Sequence, residues 1–151
     1  TIVLDDVRSL YNVGSIFRTS DAFRIEKIIL CGITAYPPSV EIHKTALGAE
    51  DAVEWEYYKN IIDGLEVLKK EGYRVIAVEQ VEGSTKLDKW KIEKGNKYAL
   101  ILGNEVKGVK QEVVDLCDEC LEIPQYGTKH SLNVSCTAAM VIWEFFRQMS
   151  Q

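Results

Sequence analysis

Three segments of the chain are more polar, or richer in glycine, than a plain scaffold requires. They cover residues 12–22, 102–108 and 123–135. In the first segment, Asn12 and Arg18 stand six residues apart, roughly two turns of a helix, so they need not share one face. Gly14 between them permits the close approach of another backbone. Taken alone, this segment is equally consistent with a ligand site and with a helix cap followed by a solvated arginine.

The second segment places Gly103 directly after an apolar run that is typical of a strand. Open α/β sheets bind ligands just beyond such strand ends. Gly103 and Gly108 have the spacing of a phosphate-binding loop, but Val109 and Lys110 replace the Lys-Ser/Thr pair that would meet phosphates and magnesium. This argues against a nucleoside triphosphatase. The adjoining Asn-Glu pair is more than a strand-to-helix turn needs, so the segment predicts a ligand loop.

The third segment ends in a polar first turn of an otherwise apolar helix. Ser131, Asn133 and Ser135 crowd this turn. One of them can be the N-cap that accepts from free backbone amides. Three are more than a cap needs, so the remaining polar groups are available to bind a ligand at the positive end of the helix.

Apolar and amphipathic runs alternate along the chain, which predicts an α/β domain with a mostly parallel sheet and flanking helices. The predicted strands cover residues 2–4, 27–31, 53–57, 74–78, 98–102 and 121–123. The predicted helices are one that starts at Asn12 and those over residues 61–71, 109–117 and 132–148. Residues 83–95 are expected to be a polar connection. Because no linker or internal repeat interrupts the 151 residues, we expect one domain over 1–151.

The composition restricts the class of protein. Lys and Arg number 18 and Asp and Glu number 23, so the formal net charge is −5. This argues against attachment to nucleic acid or membrane by bulk charge, although a local basic patch remains compatible with it. The chain has neither a membrane-length apolar run nor a signal-peptide pattern at its start, so we expect a cytoplasmic protein. Cys117 and Cys120 lack a second cysteine pair, so we expect reduced thiols and no metal.

The last predicted helix also bears on assembly. From Cys136 to Phe146 it is apolar on nearly every face, whereas a helix that flanks a sheet in a monomer has one polar side. A homodimer through this C-terminal helix is therefore expected, since closed two-fold dimers are the commonest assembly. The alternative is a helix buried within its own domain.

Together, the motifs NVGSIFRTSDAF, LILGNEVKGV and IPQYGTKHSLNVS resemble the three signature motifs of the SpoU (TrmH-type) RNA ribose 2′-O-methyltransferases, members of the SPOUT class. The resemblance runs from residue 12 to residue 135. It departs from the family at Arg24, where glycine is frequent. It implies a SPOUT domain with a deep C-terminal trefoil knot, no added RNA-binding domain, S-adenosylmethionine as the cofactor, and RNA, either tRNA or rRNA with tRNA slightly favoured, as the substrate.

The resemblance also implies roles for individual residues. Catalysis falls to Arg18, Asn12, Glu105, Ser131 and Asn133. The cofactor would be held by Val78, Glu79, Leu102, Gly103, Ile123, Gln125, Gly127, Ser131 and Leu132. A local basic mouth for RNA would be formed by Arg8, Arg24, Lys107 and Lys129, with His130 beside them. Two alternatives stay open: a knotted enzyme that methylates a base nitrogen, and a catalytically silent RNA-binding protein of the same fold.

Overall fold

The computed structural model describes residues 1–129 and 131–151; His130, expected in the basic mouth, lies outside them. Seven strands form one sheet in which every pairing is parallel. Their bounds are β1 Ile2–Asp5, β2 Lys27–Cys31, β3 Glu54–Tyr58, β4 Tyr73–Val78, β5 Thr85–Lys86, β6 Lys97–Leu102 and β7 Glu119–Glu122. The spatial order is β3-β2-β1-β6-β4-β7-β5. This confirms the predicted α/β class with a mostly parallel sheet.

Helices cover both faces of this sheet, as a parallel sheet requires. They are α1 Leu10–Ala22, α2 Val40–Ala46, α3 Ala49–Ala52, α4 Ile61–Lys70, α5 Gln111–Val114 and α6 Val134–Met149. Alternate strand residues point to opposite faces. Leu4 therefore packs with α1, α2 and α6, whereas its neighbour Val3 packs with α4 and α5. The two resulting cores fix the sheet between two helical layers.

Several elements differ from the sequence expectations for local reasons. Helix α1 begins before Asn12, because Ser9 is the N-cap and its hydroxyl accepts from the Asn12 amide. Helices α2 and α3 were not predicted, since both are too short for a clear periodic pattern. Helix α5 covers only Gln111–Val114 of the predicted span. The polar connection over residues 83–95 contains β5 and buries Trp90 against α6. The trefoil knot stays a prediction.

The apolar surface of α6 divides into a buried side and an exposed side. Val141 and Phe145 are buried on the sheet, whereas Met140, Trp143 and Met149 are each about half exposed. The sequence predicted a helix that is apolar on nearly every face. In the structure one apolar side of α6 is buried in the core, and an apolar stripe remains exposed on the other side. Such a stripe is compatible with the proposed dimer, which stays a prediction. Within the described residues, no helix is long and apolar enough to cross a membrane.

Gly14 lies where α1 meets α2, and it has no room for a side chain. A Cβ there would lie 2.0 Å from Thr45 Oγ1 and 2.3 Å from the Ile42 carbonyl oxygen. Gly14→Ala is therefore expected to lower the free energy of unfolding by about 2 kcal/mol through overpacking. Urea denaturation measures the change. Gly127→Ala, where nothing lies within 4 Å of the added Cβ, is the control, and equal stability of the two variants would contradict this packing.

Candidate active site

A cleft opens at the carboxyl edge of the sheet, beyond the ends of β4, β6 and β7 and beside the start of α6. Eight of the nine residues predicted to hold the cofactor line it: Val78, Glu79, Leu102, Gly103, Ile123, Gln125, Ser131 and Leu132. Gly127 is not part of this lining. Asn104, Val106, Gly108 and Val134 also line the cleft and fall in the predicted ligand segments 102–108 and 123–135, whereas Leu121, Glu122 and Thr137 were not predicted. The wall thus comes from segments that are distant in the chain.

The loop between β6 and α5 forms one wall of the cleft and is closed by its own backbone. Asn104 and Gly108 exchange two backbone hydrogen bonds of 3.1 and 2.8 Å. The Asn104 side-chain oxygen accepts from the amides of Val106 and Lys107 at 2.9 and 3.0 Å. Its side-chain nitrogen donates to the carbonyl of Asp6 at 2.8 Å. Asn104 therefore shapes the loop and ties it to the turn after β1.

Glu79 braces the same loop from the end of β4. One carboxylate oxygen accepts from the Val109 amide at 2.9 Å, and the other accepts from the Gln80 amide at 2.9 Å. A Cβ on Gly108 would lie 2.1 Å from the Glu79 carboxylate, so glycine is required for this contact. Glu79 lines the cleft as predicted, but its carboxylate already serves backbone amides of the protein.

A chain of side-chain hydrogen bonds joins the three motifs. The Asn12 side-chain nitrogen donates to Glu105 Oε2 at 3.2 Å. The Asn133 side-chain nitrogen in turn donates to Asn12 Oδ1 at 3.3 Å. Asn12 is only 5% exposed, so both polar atoms of its amide are satisfied by side chains from distant segments. Three of the five predicted catalytic residues therefore lie together.

Glu105 carries most of the donors in this chain. Its carboxylate accepts from the amides of Arg8 and Ser9, both at 2.8 Å, as well as from Asn12. Partial burial alone would raise the pKa of Glu105. The backbone amides of Arg8 and Ser9 and the Asn12 side chain outweigh that effect, so the pKa lies below its ordinary value of 4.5. The carboxylate is therefore ionised at neutral pH.

Asn133 is the N-cap of α6, which resolves the choice among the three polar residues of this turn. Its side-chain oxygen accepts from the amides of Ser135 and Cys136 at 2.8 and 3.3 Å, while its nitrogen reaches Asn12. Ser131 is exposed and lines the cleft. The cap and the contact between motifs therefore depend on one amide group.

Arg18 lies apart from this chain of hydrogen bonds. It is an exposed residue of α1 and is not part of the cleft lining. Its guanidinium makes no hydrogen bond and no ion pair with residues 1–129 and 131–151. Six residues rotate a helix by about 240°, so Asn12 points into the domain while Arg18 points out. The proximity of Arg18 to the cleft that the sequence analysis expected is not found within this chain.

The predicted basic mouth is only partly assembled. Arg8, Lys107 and Lys129 are exposed, and Lys107 lines the cleft. Arg24 instead lines a groove with Thr1 and Lys97, at the edge where the strands begin. Helix α1, about 18 Å long, separates the two edges. Grouping Arg24 with the cleft was therefore wrong, although a contact with RNA at that edge stays a prediction.

Candidate metal ligands do not gather in the part of the chain that the structure describes, where no group of three or more His, Cys, Asp and Glu side chains could hold an ion. The four cysteines are free thiols. Burial raises the pKa of Cys117 to about 12, and burial also raises the pKa of Cys120. Both thiols are therefore protonated at neutral pH, which makes them poor nucleophiles.

A parallel sheet with a cleft beyond the carboxyl ends of its central strands defines an α/β ligand-binding domain. The sequence profile of the SpoU rRNA Methylase family matches residues 1–143. The chain therefore belongs to this family, which confirms the resemblance carried by the three motifs.

Known relatives agree in sequence and in fold. The 23S rRNA (guanosine-2′-O-)-methyltransferase RlmB of Nitrosomonas europaea is 32% identical over 150 residues, which are 99% of this chain and 56% of that protein. The AdoMet-bound rRNA methyltransferase of Sinorhizobium meliloti is 31% identical with a TM-score of 0.89, over 97% of this chain and 55% of that one. The TrmH/SpoU tRNA modifying enzyme of A. aeolicus is 27% identical with a TM-score of 0.86, over 99% and 74%. The chain thus spans little more than half the length of the curated relatives that it matches.

The Glu105 carboxylate predicts a pH dependence of stability. Because its pKa is lowered in the folded chain, its contribution is present above the ordinary value of 4.5 and is lost as the pH falls through the folded value. Glu105→Gln is expected to remove this part of the acid dependence and to lower the free energy of unfolding at pH 7 by about 1–2 kcal/mol, since an amide nitrogen would face backbone donors.

Urea denaturation across a pH series measures both effects. Glu66→Gln, an exposed position on α4, is the matched control. An unchanged acid dependence in the Glu105 variant would show that the carboxylate is not held as described.

Proposed function

We propose that the chain transfers a methyl group from S-adenosylmethionine to a ribose 2′-hydroxyl of RNA. The observation that carries the proposal is the hydrogen-bonded chain Glu105–Asn12–Asn133, which joins residues from all three motifs beside one cleft. Membership of the SpoU rRNA Methylase family supports it. The relatives from N. europaea and S. meliloti, named as a ribose methyltransferase and as an AdoMet-bound enzyme, support the reaction and the cofactor.

The residues of the cleft fit S-adenosylmethionine. Leu102, Leu121 and Ile123 offer apolar contact suited to an adenine ring. Three carboxylates, those of Glu79, Glu105 and Glu122, line the cleft against the single lysine Lys107. The resulting negative field suits a ligand that carries a positively charged sulfur. When bound, the cofactor supplies an electrophilic methyl group on that sulfur.

The polar residues of the three motifs have two proposed roles: they bind the RNA, and they stabilise negative charge on the 2′-oxygen. The guanidinium of an arginine is a donor only and cannot take the proton of the hydroxyl, so that proton passes to solvent water. Because Arg18 lies outside the cleft of its own chain, its guanidinium acts at the cleft of the partner chain in the proposed homodimer. There it binds a phosphate next to the target ribose and stabilises negative charge that develops on the 2′-oxygen. Ser131 and Asn133 orient the ribose. Glu105 acts as a positioning residue, since its oxygens hold Asn12 and the start of α1.

The assembly and the substrate complete the proposal. A homodimer through α6 covers the exposed side chains of Met140 and Trp143. It also places a second chain against the layer that carries α1, from which Arg18 projects. Transfer RNA is favoured as the substrate, because the A. aeolicus relative is named as a tRNA modifying enzyme.

Arg18→Lys tests the role of the guanidinium. The variant keeps the charge but loses the planar fork, so turnover is expected to fall about 100-fold, the loss typical of removing one donor that stabilises the transition state. Transfer of labelled methyl groups to tRNA measures turnover, and calorimetry measures an unchanged affinity for S-adenosylmethionine. Arg74→Lys is the control, because Arg74 lies near the start of β4, at the end of the strands opposite the cleft. Near-normal turnover in the Arg18 variant would rule out this role.

The position of the methyl group tests the reaction itself. A 2′-O-methyl group blocks alkaline cleavage of the adjoining phosphodiester, because the 2′-oxygen can no longer attack the phosphorus. The label should therefore be recovered in alkali-resistant dinucleotides. Recovery in single nucleotides would identify a methylated base instead, and failure of S-adenosylmethionine to bind would refute the proposed function.

A further inference from the structure

The two most exposed large hydrophobic side chains of the described residues belong to two loops that border the cleft. Val106 is 84% exposed and Tyr126 is 91% exposed. Val106 belongs to the lining of the cleft, and Tyr126 directly follows Gln125, which also lines it. Each has an exposed lysine close by in sequence, Lys107 and Lys129 respectively. We call Val106, Lys107, Tyr126 and Lys129 the rim.

Isolated hydrophobic side chains on a surface are ordinary, but this arrangement is not scattered. The two side chains stand on separate loops, one after β6 and one after β7, and both loops border the same cleft. Val106 is also held outward by a defined backbone, since its amide donates to Asn104 Oδ1 and the loop is closed at Asn104 and Gly108. The apolar group is therefore presented in a fixed direction.

The cationic side chains around the rim are suited to bind the phosphates of an RNA backbone. Lys107 and Lys129 are both exposed, and Arg8 adds a third cation at the same edge of the sheet. The acidic groove of Glu50, Asp51, Glu54 and Glu56 surrounds β3, three strand positions from β6. At about 4.8 Å per strand, this is about 14 Å away. Lys107 and Lys129 thus place positive charge beside the apolar rim, and of the three carboxylates that line the cleft, those of Glu79 and Glu105 already accept hydrogen bonds from backbone amides of this chain.

We propose that the rim binds an unpaired stretch of RNA. Tyr126 stacks on a base next to the ribose in the cleft, Val106 contacts a second base face, and the two lysines bind phosphates. A base in a duplex is already stacked on both sides, whereas an unpaired base leaves a face free for an aromatic ring. This inference rests on the proposed function and narrows its substrate to RNA loops, bulges or single strands.

Fluorescence anisotropy with two labelled RNAs tests the rim: a hairpin with an unpaired loop and a fully paired duplex of the same length. Tyr126→Ala is expected to weaken hairpin binding about 5- to 150-fold, the range for loss of one base stack, and to leave duplex binding unchanged. Tyr126→Phe keeps the ring and is expected to retain affinity. Val40→Ser is the matched control, because Val40 is 76% exposed at the start of α2.

Salt dependence separates stacking from charge. Lys129→Ala is expected to reduce the slope of log affinity against log salt by about 0.7, the value for one phosphate contact with a single strand. Tyr126→Ala is expected to lower the affinity without changing that slope. Lys70→Ala, at the end of α4, is the control for removal of a lysine elsewhere.

The outcomes distinguish this inference from the proposed function. Calorimetry should give the same affinity for S-adenosylmethionine in the Tyr126 and Lys129 variants as in the unaltered chain. Absence of that binding in the unaltered chain would refute the methyltransferase while leaving the RNA measurements to decide the rim. Equal binding of hairpin and duplex, or a Tyr126→Ala variant that behaves like Val40→Ser, would overturn the inference. So would a Tyr126→Ala variant that changed the sedimenting mass, because the rim would then be a contact between protein chains.

Discussion

The site depends on one partly buried carboxylate. Glu105 accepts two backbone amides from the turn before α1 and one side-chain amide from within α1. These donors lie more than 90 residues away in sequence. A carboxylate taken partly out of water must have such partners, or its desolvation would favour the protonated form. The first turn of α1 is therefore held against the loop after β6, and Asn12 is placed where Asn133 can reach it.

That contact is possible because β1 pairs with β6 in the centre of the sheet. The pairing of Leu4 with Leu102 brings the two strand ends to the same edge at the same height. Two further contacts hold the segments that follow. The Asn104 side chain donates to the carbonyl of Asp6, and Lys110 forms an ion pair with the Asp6 carboxylate at 2.9 Å. The geometry of the site is thus a consequence of strand order, reinforced by polar contacts between neighbouring turns.

Strands and regular helices could be predicted from the sequence, whereas the relative positions of distant residues could not. Strands such as Lys27–Cys31 were predictable because parallel strands are apolar throughout, and α4 was predictable because Ile61, Leu65 and Leu68 mark one face. The cleft walls followed from motifs placed after strand ends. The position of Arg24 could not be predicted, because a residue that follows a motif in sequence can lie at the opposite end of the helix, away from the cleft. Tyr126 and Val106 lie in two of the motifs, but their high exposure could not be predicted, because only the structure shows which side chains of a loop face the solvent.

An acidic chain can still hold RNA, because the reach of a surface charge is short. At physiological salt the screening length is about 8 Å, while the carboxylates around β3 lie about 14 Å from β6 across the sheet. The repulsion from these distant carboxylates is therefore strongly reduced at the cleft. Of the carboxylates that line the cleft itself, those of Glu79 and Glu105 accept hydrogen bonds from backbone amides, which offset part of their charge. Lys107 and Lys129 would act at contact distance, where screening by solvent ions is weakest. The net charge of −5 consequently limits long-range attraction of RNA. In the proposed complex, stacking and shape would therefore supply a larger share of the affinity than in a basic RNA-binding protein.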